Sequence, residues 1–360
     1  MNILVTGSRG FIGSNLVTTL EANNYNVLKF ESDGSFDLLA DYVKQADFVV
    51  HLAGVNRAQS AFEFYNGNAG LTETLVEMLV TFNRVPLLIS SSSQAGNDTD
   101  YGKSKAMAEE ITRKYEKHHI FRLNNVYGKW SRPNYNSVIA TWCHNVARDI
   151  EIIINDESTE ISFVYIDDVV KDIMNAIEGK LNYGDHIVEP VDTVSLGEVK
   201  DLIESFKESR INFEVPRMDS RFAKNLYSTY LSYIPIDEMK YDLKMNVDNR
   251  GSFTEVLKTK DQGQVSINVA KPGITKGQHW HHSKNEKFLV VYGEGNIEIR
   301  HIITNEKYKY EVSGDKLEVV DIPTGYTHNI TNTGTTDMVT LMWANEVFDK
   351  DNPDTYFEEV

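Results

Sequence analysis

The chain has 360 residues with 53 Asp and Glu against 36 Lys and Arg, a length that suggests two domains, each able to bury its own core. A net charge of −17 argues against non-specific binding to nucleic acid or to an anionic membrane surface, so an anionic small molecule would need a locally basic pocket. Cys143 is the only cysteine, which excludes an intrachain disulfide and leaves His and carboxylate to hold any metal. No long apolar run occurs, and MNILVTG reads as a buried strand rather than a leader, so a cytoplasmic protein is expected.

From residue 1 to about 190, the runs ILVTG, VLKF, DFVVHLAG, PLLISSSS and HIFRL alternate with segments of helical length and period. That alternation predicts βαβ units around a parallel sheet. TGSRGFIG follows the first run and opens a helix, which places Gly7, Gly10 and Gly13 at the strand-to-helix turn. Glycine there permits close approach of a pyrophosphate to free helix N–H groups. Arg9 lies inside this turn and can pair with a ribose 2′-phosphate, whereas Glu31, ending the second strand, suits a free 2′-hydroxyl. NADPH is expected on the strength of Arg9, with NADH as the alternative.

Tyr101 and Lys105 in YGKSK lie four apart on a helix expected to begin near Asp98 or Thr99, and so share a face. An ammonium beside a phenol favours the phenolate and readies it for proton exchange at a carbonyl oxygen. The serine run Ser90 to Ser93 precedes them and can hydrogen-bond the same oxygen. Further on, KWSRPNYNSVIATW gathers Lys129, Arg132, Asn134, Tyr135 and Asn136, a basic, hydrogen-bonding stretch that suits a nucleoside diphosphate. Residues 194 to 232 read as mostly helical, with Leu196, Val199, Leu202, Ile203 and Phe206 on one face.

After residue 243 the texture changes to short alternating runs broken by Gly, Asn and Asp, which predicts an all-β domain. The boundary is placed at 240 to 247, giving domains 1–243 and 244–360. In GQHWHHSKNEKFLVVYG, His279 and His281 project to one face of a strand while His282 leaves the ladder. Glu286 follows after four residues, and His328 arrives in PTGYTHNITN.

The motifs TGSRGFIG, HLAGVN, the serine run, YGKSK, RLNNVYG and FVYIDDVV occur in the order found in the short-chain dehydrogenase/reductase superfamily. Over roughly the first 240 residues the chain resembles its extended, Rossmann-type form acting on nucleotide sugars. That resemblance makes Tyr101 the general acid and Lys105 the residue that holds the nicotinamide ribose and tunes the tyrosine. The serines lie closer to Tyr101 than in many relatives, so Ser91, Ser92 and Ser93 all stay candidates, with Ser92 preferred.

The second half resembles the cupins, which are jelly-roll barrels: HxH, four residues, Glu, six residues, Gly, then PxG, two residues, His, three residues, Asn. The resemblance implies that His279, His281, Glu286 and His328 bind a metal. With no thiolate in the set, zinc is expected, and iron, manganese and nickel are alternatives. Asp248, Arg250, Phe253 and Glu255 resemble the opening strand of cupin epimerases that act on 4-keto nucleotide sugars.

A ketone at C4 acidifies the hydrogen on C3, so C3 must be inverted before the ketone is reduced. His282 and Tyr326 are candidates for the base. Taken whole, the chain is similar to bifunctional enzymes of bacterial capsular polysaccharide synthesis, above all in NLYSTYLSY, MNVDNRGSFTE and KPGITKGQHWHHSKNEKFLVV. That resemblance implies a UDP-2-acetamido-2,6-dideoxy-4-keto-hexose substrate, C3 epimerisation in a zinc cupin and NADPH-dependent C4 reduction. The implied product is UDP-N-acetyl-L-talosamine, precursor of UDP-N-acetyl-L-fucosamine, made by a homodimer. The rival expectation is a 4-ketoreductase whose cupin serves only dimerisation or regulation.

Overall fold

The computed structural model describes residues 1–349 and 351–360. They form two compact units, Met1–Ser205 with Arg217–Ile236, and Phe206–Pro216 with Asp237–Val360. The first unit opens with β1 (Asn2–Thr6), α1 (Phe11–Ala22), β2 (Asn26–Phe30), α2 (Phe36–Gln45) and β3 (Phe48–His51). A short helix α3 (Ala61–Phe64) runs through a π-helical turn, Tyr65–Gly70, into α4 (Leu71–Phe82). Then come β4 (Leu87–Ser92), α5 (Asp100–Arg113), β5 (His118–Leu123), β6 (Asn125–Tyr127), α6 (Val138–Val146), β7 (Glu160–Tyr165), α7 (Ile166–Ile177) and β8 (Gly184–Ile187). Beyond these lie β9 (Asp192–Ser195), α8 (Leu196–Asn212), whose residues from Phe206 on are counted with the second unit, and α9 (Arg221–Leu231).

The main sheet is parallel, in the order β2-β1-β3-β4-β5-β8, while β6, β7 and β9 make a small second sheet. Alternation along β1 divides its side chains between two cores. Ile3 and Val5 pack with Leu16, Leu20, Val169 and Ile173 from α1 and α7. Leu4 packs on the other face with Leu39, Val43, Leu75 and Leu79 from α2 and α4. Both faces are therefore covered by helices, and the order reverses between β1 and β3, where such folds bind their ligands. The helix starting near Asp98 or Thr99 begins at Asp100, because Thr99 caps it by accepting from the Gly102 N–H at 3.0 Å. In α8, Val199, Leu202, Ile203 and Phe206 are buried, as their three- and four-residue steps predict.

The second unit carries β10 (Met245–Asp248), β11 (Gly251–Thr259), β12 (Gly263–Ala270), β13 (Thr275–Trp280), β14 (Glu286–Tyr292) and β15 (Glu294–His301). It continues with β16 (Lys307–Ser313), β17 (Val319–Ile322), β18 (Tyr326–Asn332), β19 (Met338–Ala344) and β20 (Tyr356–Phe357). One sheet runs β10-β11-β12-β19-β14-β17 and the other β16-β15-β18-β13-β20. Phe288, Val290, Ile322 and Met338 of the first pack against Ile297, Ile299, Val312 and Ile330 of the second. This is the β-rich, cupin-type architecture expected from the alternating runs. No helix among the described residues is long and apolar enough to cross a membrane.

Candidate functional site

The glycine turn joins β1 to α1. Gly7 has φ +69°, and a Cβ there would lie 2.8 Å from the Ala53 nitrogen on the loop after β3; at Gly13 it would lie 2.1 Å from the Gly7 carbonyl. Only glycine fits this cradle. Gly10 precedes α1 without a side-chain cap, so the first N–H groups of the helix stay free for an anion. Glu31 turns into the turn, its Oε1 accepting from Ser8 Oγ at 2.5 Å and from the Arg9 backbone N–H. Exposed Arg9 is bracketed by Asp33 at 2.9 Å and Glu31 at 3.5 Å. These features fit a dinucleotide whose pyrophosphate lies on the helix start.

Tyr101 and Lys105 share one face of α5, and the strand β4 delivers the serines beside them. Alternation along β4 separates Ser91 from Ser92. Ser91 is buried and donates at 2.5 Å to Glu109, a carboxylate also gripped by Arg113 and Arg122. Ser92 hydrogen-bonds Tyr101. Ser93 is exposed.

One expectation about this site fails. Burial raises the Tyr101 phenol above its ordinary value, the Ser92 hydrogen bond opposes it, and Lys105 does not pull it down. The reason is geometric: Lys105 Nζ donates to the Ser90 carbonyl at 3.1 Å. Burial also pushes the Lys105 ammonium down to about 8.

Two supporting residues were given no role in the sequence: Asn68, outside every motif, and His51, which opens HLAGVN. Buried Asn68, on the π-helical turn, exchanges two hydrogen bonds with the Val55 backbone and donates to Ser104 on α5 at 3.0 Å. It ties the loop after β3 to the helix of Tyr101. His51, pushed down to about 3 by burial and by Lys105, stands neutral between Thr6 and Thr72. An unusual helical turn at a candidate site was the available structural signal for Asn68; for His51 it was the place at the head of HLAGVN.

Arg132, Asn134 and Asn136 all lie on the exposed loop before α6. Asn134 takes φ +56° and donates its N–H to Thr141 Oγ1 at 2.9 Å. Arg132 and Arg57 both lie over the Tyr135 ring, at 5.5 and 5.4 Å from its centre, and the Tyr135 hydroxyl donates to Asn56 at 2.8 Å. The loop thus gathers cations beside the segment that follows β3.

In the barrel, His279, His281, Glu286 and His328 come together, with ligand atoms all within 4.8 Å of one another. His281 and His328 are buried. Their Nδ1 atoms face the carbonyls of Asp354 and Tyr326, and a carbonyl only accepts, so both rings carry the proton there and present bare Nε2 atoms. Those Nε2 atoms lie 3.5 and 3.1 Å from Glu286 Oε2, and none of the three has a hydrogen-bond partner among the described residues. Burial pushes His279 down to about 4, which keeps its imidazole neutral. Glu286 Oε2 therefore meets two nitrogen lone pairs at these distances, an arrangement that a cation between them would satisfy. Three imidazoles converging on one carboxylate, with no thiolate among them, are a donor set that suits a divalent metal.

The cluster opens on a cavity of about 760 Å³ lined by His279, Glu286 and His328 together with Asp248, Arg250, Phe253, Lys276 and Lys284. Glu255 is outside that lining, as are both candidate bases. His282 is exposed and packs on Trp280 and Tyr356, and Tyr326 stands edge-on to His301.

Residues 3–188 match the NAD dependent epimerase/dehydratase family, and residues 246–356 match the polysaccharide biosynthesis C-terminal domain. The chain is 47% identical to UDP-2-acetamido-2,6-beta-L-arabino-hexul-4-ose reductase of Pseudomonas aeruginosa, covering 99% of this chain and 98% of that protein. It superposes on the crystal structure of the capsular polysaccharide assembling protein CapF from Staphylococcus aureus with a TM-score of 0.94, at 50% identity over 100% of both chains. UDP-glucose 4-epimerase of Thermotoga maritima, 20% identical, matches 65% of this chain and 98% of its own with a TM-score of 0.54, which shows the shared fold. A cradle for a pyrophosphate, the Ser92–Tyr101–Lys105 arrangement and these matches give one conclusion: the chain belongs to the NAD dependent epimerase/dehydratase family, with a polysaccharide biosynthesis C-terminal domain behind it.

Proposed function

We propose that the chain is a bifunctional nucleotide-sugar enzyme, with a reductase in residues 1–243 and an epimerase in residues 244–360. Its substrate is a UDP-2-acetamido-2,6-dideoxy-4-keto-hexose. The barrel inverts C3, and the first domain then reduces C4 with NADPH to give UDP-N-acetyl-L-talosamine, for UDP-N-acetyl-L-fucosamine and capsule synthesis. One observation carries this reading: a single chain holds both a Ser–Tyr–Lys arrangement and a buried three-histidine, one-glutamate cluster opening on a cavity of about 760 Å³. The full-length likeness to proteins named for 4-ketose reduction and capsule assembly supports it.

When bound, the nicotinamide supplies hydride to C4 and a zinc ion in the barrel supplies Lewis-acid polarisation of a carbonyl. Tyr101 donates the proton to the C4 oxygen, and Ser92 orients that oxygen by sharing its hydrogen bond. Lys105 stays cationic below about pH 8 and anchors the nicotinamide ribose. Gly7, Gly10 and Gly13 admit the pyrophosphate. The exposed Arg9 guanidinium, held by Asp33 and Glu31, exchanges the Asp33 carboxylate for the 2′-phosphate when the cofactor binds. His279, His281, Glu286 and His328 hold the zinc, and Arg132, Asn134 and Asn136 bind the UDP. The working form is a cytoplasmic homodimer, which light scattering of purified protein checks.

The test is Tyr101→Phe in full-length protein, assayed in deuterated water. NADPH oxidation should fall by about 10²–10⁴-fold while exchange of the C3 hydrogen continues. Loss of both in a folded variant would refute the division of labour. Reduction without any C3 exchange in the unaltered protein would make the barrel a dimerisation or regulatory module.

A further inference from the structure

The segment 354–358 returns to the metal cluster from beyond β19. Its strand β20 adds to the edge of β13, placing Phe357 opposite His279 and Tyr356 opposite Trp280. Before that strand, the Asp354 carboxylate accepts the backbone N–H groups of His282, Ser283 and Lys284 at 3.0, 2.7 and 3.0 Å, and the Ser283 hydroxyl at 2.9 Å. The Asp354 carbonyl accepts from His281 Nδ1. After the strand, the Glu358 N–H donates to the Gln278 carbonyl at 3.0 Å, and Arg300 holds the Glu358 carboxylate at 2.6 Å.

These contacts fall on both sides of His279, in β13, and of His281, just past its end. Residue 278 is gripped before His279, the ring of His281 is gripped directly, and the turn from His282 to Lys284 is gripped before Glu286. One carboxylate thereby fixes three consecutive amides of a turn that no strand pairing holds. One carbonyl fixes which nitrogen of His281 carries the proton, and with it the direction of the bare Nε2.

We propose that Asp354–Glu358 is a positioning strap for the metal centre, with Asp354 as its principal residue. It presets His281 and Glu286 as a pair before an ion arrives, so that binding need not order them. This rests on the metal reading given above. Asp354 touches no reacting atom and acts through His281 and the turn behind it.

The test uses full-length Asp354→Ala and Asp354→Asn, freed of metal and titrated with zinc against a chromophoric chelator. The unaltered protein should bind zinc, and Asp354→Ala should bind it about 10- to 100-fold more weakly. Asp354→Asn, which keeps one acceptor oxygen, should fall between them. Cobalt(II) bound to Asp354→Ala should show shifted visible bands, a change in ligand geometry that simple loss of stability would not produce. NADPH affinity should stay unchanged, as the control for folding of the first unit. Unaltered zinc affinity and cobalt spectrum in folded Asp354→Ala, or in Asp354→Asn should the alanine variant not fold, overturn the strap alone. An unaltered protein that binds no divalent metal overturns the metal reading with it.

Discussion

His279 stands directly opposite His328 across β13 and β18, and it does so because the register slips by one residue between Gly277 and His279. Gln278 occupies the slip at φ +66°. Without that bulge His279 would face the neighbour of His328, and the alternation of the strand would turn it away. The two imidazoles now meet with ring centres 4.6 Å apart.

Gly277→Ala should loosen this register. Gly277 takes φ +101°, and a Cβ there would lie 2.8 Å from the His328 carbonyl. We expect a loss of about 1–3 kcal/mol in the stability of the barrel, read by denaturant unfolding, together with weaker zinc binding. A variant as stable as the unaltered protein would show that the bulge tolerates a side chain.

The reductase should show an alkaline limb near pH 8, set by Lys105. Its ordinary value is 10.5 and burial lowers it to about 8, so between these values the unfolded chain binds more protons than the folded one. Stability from this group therefore rises with pH across that window and is flat below it. Cofactor anchoring runs the other way, since the ammonium is lost as pH rises. Hence kcat/KM for reduction should fall above about pH 8 while thermal stability improves, and Lys105→Met should remove the stability increase. A pH-independent kcat/KM up to pH 10 would contradict the assignment.

Chelation should separate the two activities. Metal removal, or Glu286→Gln, should stop C3 exchange and lower the melting temperature of the barrel. At a zinc concentration a thousand times the Kd the lost stabilisation is about 4 kcal/mol. Reduction of a 4-ketose that needs no inversion should continue.

Arg9→Ala should weaken NADPH more than NADH. A charge-assisted contact to a 2′-phosphate contributes about 1.5–3 kcal/mol, or roughly 10- to 150-fold in Kd. Equal losses for both cofactors, measured by fluorescence titration, would remove Arg9 from the phosphate site.

Much of this molecule was legible from local pattern. Alternating runs gave the parallel sheet and the barrel, because a period of two or of three to four residues dictates which side chains are buried. Gly7, Gly10 and Gly13, the Tyr101–Lys105 pair and the His279–His281 pair each lie within a few residues of one another, so their spacing is visible in the chain. What only the tertiary structure decided involves partners far apart in sequence. Ser91 and Ser92 part company because successive side chains of β4 alternate, so that Ser91 meets Glu109 while Ser92 is left to Tyr101. Lys105 turns to the Ser90 carbonyl rather than lowering the phenol. His282 stays outside the cavity, packed against Trp280 and Tyr356. The register of β13 and the grip of Asp354 join residues about 50 and 70 positions apart, and hydrogen bonds over such separations leave no periodic mark on either segment.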